Sequence, residues 1–97
     1  MESTRTEVQV TIRNTQGLHA RPAAQFVRIA GQFDDCDITV IRDGMNVNGK
    51  SIMGMMMLAA GPGTELTIVA EGEGADEVCK NLKDLIDSGF GEMGESS

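Results

Sequence analysis

Ninety-seven residues with a formal net charge of −7, 40% hydrophobic and 24% charged, suffice for one globular domain with one modest core. Fifteen acids against eight bases argue against nucleic acid or an anionic membrane as the main partner, since both attract patches of Lys and Arg. With no Trp or Tyr and only three Phe, aliphatic residues and the seven Met must fill the core.

The opening "MESTRTEVQV" lacks the apolar stretch of a secretion signal, and no run approaches the length of a membrane span, so the expected location is the cytoplasm. "EVQVTIR" (7–13) sets Val8, Val10 and Ile12 against polar neighbours and reads as a strand with one buried face. "NTQG" is loop. From Ala20 the apolar residues Ala23, Phe26, Val27 and Ala30 recur at helical spacing; Pro22 sits in the first turn, where a helix tolerates it, and Gly31 ends the element.

"CDITVI" places Cys36, Ile38 and Val40 on one face of a second strand. Asp43-Gly44 is a strong hairpin signal, which makes "MNVN" a short antiparallel return strand. A short apolar helix, "SIMGMMMLA", follows, with Ser51 as its N-cap. "GPG" breaks the chain, and "TELTIVAE" is the fourth strand with Leu66, Ile68 and Ala70 inward. The last helix, within "GADEVCKNLKDLIDSG", turns Ala75, Val78, Leu82 and Leu85 or Ile86 inward, carries acids in its first turn and closes at Gly89. "FGEMGESS" reads as a frayed tail. The order β-α-β-β-α-β-α predicts an α+β two-layer sandwich, a four-stranded sheet with helices on one face. The single domain is expected over 1–90 and a disordered tail over 91–97.

Cys36 and Cys79 form no CxxC pair, no cluster of ligands suggests a metal, and both fall on apolar-facing positions, so buried free thiols are expected. No cofactor is implied.

"GMNVNGKS" (44–51) matches G-x-x-x-x-G-K-S, the phosphate-binding loop of many nucleotide enzymes. That loop needs a strand before its first Gly and a long helix from its Lys, in a parallel sheet. Here the first Gly belongs to a hairpin turn and "MNVN" reads as strand, so the spacing is a coincidence.

The lone histidine, His19, stands where loop becomes helix. An arbitrary lone histidine is usually a cap or a solvated surface residue. Three neighbours reverse that reading. First-turn amides at a helix start have no intrahelical partner and favour a bound dianion. Arg21 can set a guanidinium on the same oxygens, and Pro22 stiffens the turn. With no second base or carboxylate pair nearby in sequence, this arrangement suits a phosphoryl-group carrier rather than an enzyme with its own turnover.

"GLHARPAAQFV", "GKSIMGMMML" and "GTELTIVAEGEGADE" together resemble the histidine-containing phosphocarrier protein (HPr) family of the bacterial phosphoenolpyruvate-dependent phosphotransferase system, over about residues 7 to 90. The resemblance implies an open-faced sandwich with an antiparallel sheet. It implies that His19 is phosphorylated on Nδ1 by enzyme I and passes the group to an enzyme IIA, with Arg21 steadying the phosphohistidine. Ser51 matches the serine that an HPr kinase/phosphorylase modifies in lineages that have one. A monomer is expected. Gln16 stands where relatives often carry Asn or Ser, and the interval from His19 to Ser51 is one residue longer than in common sugar-system members. "DSGFGE" resembles the nitrogen-related branch, which leaves open the alternative of an HPr-like regulatory protein that does not feed sugar uptake. A ligand-binding or RNA-binding α+β domain explains the topology but neither motif. On the helix from Ser51, Met53 and Met56 are candidates for an adaptable docking surface, since flexible thioethers fit several partners. Arg28 is a candidate rim charge.

Overall fold

Asp43 and Gly44 have φ of 48° and 84°, the pair of positive values that turns a hairpin with the twist of its strands. The computed structural model describes residues 4–91, and this turn joins β2 (Cys36–Arg42) to β3 (Met45–Asn48). The remaining elements are β1 (Arg5–Thr11), α1 (Ala20–Gly31), α2 (Ile52–Met57), β4 (Glu65–Gly72) and α3 (Ala75–Asp87), followed by a 3-10 turn at Gly89–Gly91. The sheet runs β1-β4-β2-β3, and every neighbouring pair is antiparallel. This is the α+β two-layer sandwich expected from the order of elements, and the open-faced, fully antiparallel arrangement that the family resemblance implies.

The alternation of apolar residues decides which face is covered. Val10 pairs with Leu66, Val40 with Ile68 and Ile38 with Ala70, so all six share one side, and all six are buried. Glu7, Gln9, Asp37 and Glu71 point to the other side and are exposed. α3 packs over β1 and β4 through Ala75, Val78, Cys79, Leu82 and Ile86, while α1 packs on α2 and α3. α1 contributes Pro22, Ala23, Phe26 and Ala30. Of the two inward candidates at the end of α3, Ile86 is fully buried and Leu85 is half-buried. Burying a side chain such as Phe26 stabilises the fold by about 1.5–3 kcal/mol.

Phe90 departs from the expected frayed tail. It is 2% exposed, with φ of 57° between Gly89 and Gly91, both also at positive φ. The backbone reverses at the end of α3 and returns the ring to the core. The apolar area gained outweighs the cost of a left-handed aromatic residue. Residues 92–97 of the expected tail lie outside the described residues.

Candidate functional site

The loop between β1 and α1 is held from two directions. Within it, Asn14 Nδ2 donates to the Gly17 carbonyl at 2.7 Å, and the Gly17 amide donates back to the Asn14 carbonyl at 3.1 Å. Across from it lies the segment that follows α2. The Leu18 amide donates to the Ala60 carbonyl at 2.8 Å, and Leu18 is buried. Gly17 has φ of 70°, and a Cβ there would lie 2.5 Å from the Ala60 oxygen, so only glycine permits both the turn and the approach.

That clamp delivers His19 to the N-cap of α1. Its backbone is extended (φ −83°, ψ −168°), its carbonyl accepts the Ala23 amide at 3.0 Å, and its side chain does not cap the helix. The amides of Ala20 and Arg21 have no intrahelical acceptor, and no acid occupies the first turn. The imidazole is half-buried beside a helix end that favours an anion, with the exposed Arg21 two residues on. The structure therefore brings His19 and Arg21 to one helix start. Gln16 is exposed in the same loop. Arg28 is also exposed, in the last turn of α1, about 10 Å along the axis from Arg21.

Ser51 is the N-cap of α2, with its Oγ accepting the Gly54 amide at 3.0 Å. The lysine before it is engaged elsewhere: Lys50 Nζ donates to the Phe33 carbonyl at 2.8 Å. "MNVN" is strand β3, and α2 has six residues. No phosphate-wrapping loop exists here, so the G-x-x-x-x-G-K-S spacing is accidental.

Between Ser51 and the His19 loop lies the outer surface of α2. Met53 is 76% exposed and Met56 43%, as a docking surface requires, but Met57 at 65% and Ile52 at 42% belong to the same patch and were not singled out from sequence. The signal was available. Met55 and Leu58, three apart, are the buried pair, so a helical wheel turns the other four outward. Arg42 was also missed; its Nη1 donates to the carbonyls of Leu58 and Ala59 at 2.7 and 3.0 Å.

Cys36 and Cys79 are free and buried, and burial pushes both thiols above their ordinary pKa, which suits inert core residues. Among the described residues, no group of three or more His, Cys, Asp or Glu is placed to hold a metal ion, and no helix is long and apolar enough to cross a membrane.

The model of the family described as the PTS HPr component phosphorylation site matches residues 6–88. The chain is 49% identical over 86 residues to the phosphocarrier protein HPr of Pseudomonas aeruginosa, covering 88% of this chain and 94% of the relative. It is 47% identical over 74 residues to the HPr-like protein Crh of Bacillus subtilis, covering 76% and 86%. The crystal structure of an HPr from Thermoanaerobacter tengcongensis superposes with a TM-score of 0.85 at 48% identity, over 90% of this chain and 97% of that one. Solved relatives also include HPr and Crh dimers.

Proposed function

The chain belongs to the HPr phosphocarrier family, and from that membership we propose that His19 takes a phosphoryl group from enzyme I and passes it to an enzyme IIA. The observation that carries this reading is the placing of His19 at the start of α1 beside Arg21, by a loop clamped to Ala60. A ring nitrogen attacks phosphorus, an N–P bond forms, and the bond from phosphorus to the donor breaks with its electron pair returning to the donor. The amides at the helix start and the Arg21 guanidinium bind the phosphoryl oxygens in the transition state. The second transfer is the same displacement in reverse. No cofactor is needed, because both steps move one phosphoryl group between nucleophiles.

Ile52, Met53, Met56 and Met57 form the docking surface for both partners, and Arg28 adds a charge at its rim. Ser51, at the edge of that surface, is the regulatory site for an HPr kinase/phosphorylase. The carrier works in the cytoplasm as a monomer, since a second copy over α2 would occlude the surface both partners use. A second reading, a regulatory protein acting through Ser51 without onward relay, draws on the similarity to Crh. The test is to label the chain from phosphoenolpyruvate with enzyme I, remove enzyme I, and add purified enzyme IIA components of the sugar and nitrogen types. Migration of label to either supports the relay and identifies its branch. Retention of label on this chain with every acceptor tried contradicts the relay and favours the regulatory reading.

A further inference from the structure

Arg42 ends β2, far in sequence from His19, yet its bonds lead there. Its Nη1 holds the carbonyls of Leu58, the C-cap of α2, and of Ala59, the residue after it. Final carbonyls of a helix lack intrahelical partners and carry the negative end of its dipole, so a guanidinium suits them. Ala59 has φ of 50°, the left-handed conformation that glycine ordinarily supplies after a helix and that a Cβ disfavours. The next residue, Ala60, carries the carbonyl that accepts the Leu18 amide. Leu18 directly precedes His19. The ion pair of Arg42 with the exposed Asp43 is loose, 3.9 Å from Nε, so the carbonyl bonds hold the guanidinium.

We propose that Arg42 is a positioning residue for His19. By bonding Leu58 and Ala59 it holds Ala59 left-handed, which aims the Ala60 carbonyl at the Leu18 amide and fixes where α1 begins and where the imidazole stands. Its effect on transfer rests on the phosphocarrier reading; its effect on the loop does not. The rival mechanism, direct contact of Arg42 with the phosphate or with enzyme I, is separable. Glycine at position 59 adopts the left-handed conformation unaided but supplies no charge.

The experiment compares Arg42→Ala, Arg42→Lys and the double variant Arg42→Ala with Ala59→Gly. Amide hydrogen exchange at Leu18 and at the core residue Val40 is measured in the unphosphorylated chain, and initial phosphorylation rates are measured with enzyme I. Arg42→Ala should raise exchange at Leu18 relative to Val40 about tenfold, a local opening rather than global unfolding. It should lower kcat/KM about tenfold, mostly in kcat, because the nucleophile is misplaced rather than the docking surface lost. Arg42→Lys should recover part of both, since an ammonium still donates to carbonyls. Adding Ala59→Gly should restore both to within about threefold of wild type. Unchanged relative exchange at Leu18 in Arg42→Ala overturns the proposal, and that arm decides even when the wild-type chain accepts no phosphate. Lost transfer that Ala59→Gly leaves unrepaired also overturns it, in favour of direct contact. Should Arg42→Ala fail to fold, Arg42→Lys against wild type decides: Leu18 exchange raised relative to Val40 supports the proposal, and wild-type exchange refutes it.

Discussion

On the proposed reading, replacing Ser51 by Asp should leave the fold intact and slow the acceptance of phosphate from enzyme I, and the size of the effect separates two ways in which a charge at Ser51 could act. The Asp carboxylate can still accept the Gly54 amide that Ser51 Oγ now holds at 3.0 Å, and a helix start tolerates negative charge. Ser51→Ala loses that bond, at a cost of about 1 kcal/mol, or about 4–8 °C in melting temperature for a domain of this size. The charge itself reaches His19 only weakly. α2 has six residues, and the His19 loop is docked just beyond its far end, which puts the two sites on the order of 10 Å apart. One pair of unit charges at that distance in water is worth about 0.4 kcal/mol. One carboxylate against a phosphoryl dianion makes about 0.8 kcal/mol, cut to a few tenths by physiological salt. Through-space repulsion therefore slows transfer less than about twofold.

A larger effect must come from docking. Position 51 adjoins Ile52 and Met53, and on the proposed docking mode a charge there would have to be desolvated under enzyme I. The expected result is a kcat/KM reduced more than tenfold, with the loss in KM, kcat within about threefold of wild type, and an unchanged melting temperature. The assay is initial-rate phosphorylation of His19 across a range of chain concentrations. A fall in kcat at constant KM would refute the reasoning, because it would put the effect at the phosphoryl group itself. Kinase-modified protein, with its dianion, should show the same split more strongly.

Arg21→Lys should slow transfer several-fold with little change in melting temperature, because a planar fork holds two phosphate oxygens and an ammonium does not; equal rates would mean that only charge matters there. Mg-ATP should give neither heat nor thermal shift on the isolated chain, and Lys50→Ala should change only stability, by about 1 kcal/mol for the partly buried bond to the Phe33 carbonyl. Saturable nucleotide binding lost in that variant would contradict the reading of β3. Burial raises both thiols above the ordinary 9.0 in the folded chain, so the unfolded chain releases protons first as pH rises. Their contribution is full below the unfolded value and is lost as pH rises towards the folded values, so urea unfolding should show stability falling from about pH 8.5 upward. The same burial makes labelling by a thiol reagent slow at neutral pH in native protein and fast in urea.

The sequence made legible whatever depends on near neighbours. Alternation in "EVQVTIR" and "TELTIVAE" identified the buried sheet face, Asp43-Gly44 identified the hairpin, and Ser51 before an apolar run identified a cap that the structure places at 3.0 Å from the Gly54 amide. Helical phase turns Met57 and Ile52 to the same exposed side as Met53 and Met56. What escaped depends on distant contacts. Nothing around Arg42 indicates that it bonds the end of a helix 16 residues away. Gly17 reads as an ordinary turn glycine until Ala60 stands against it. Phe90 sits among glycines and acids, and only the path of the chain after α3 returns it to the core. The site combines both kinds of information: the helix start that presents His19 is local, and the clamp on the loop before it, from Leu18 to Ala60, is not.

The most direct test of the carrier reading is intact-mass spectrometry of the chain after incubation with phosphoenolpyruvate and enzyme I. One added phosphate is expected, stable in base and lost in acid as a phosphoramidate is, and absent from His19→Ala. An unmodified wild-type chain under conditions that phosphorylate a known HPr, or an equal signal in His19→Ala, would contradict the assignment of His19 as the phosphoryl acceptor.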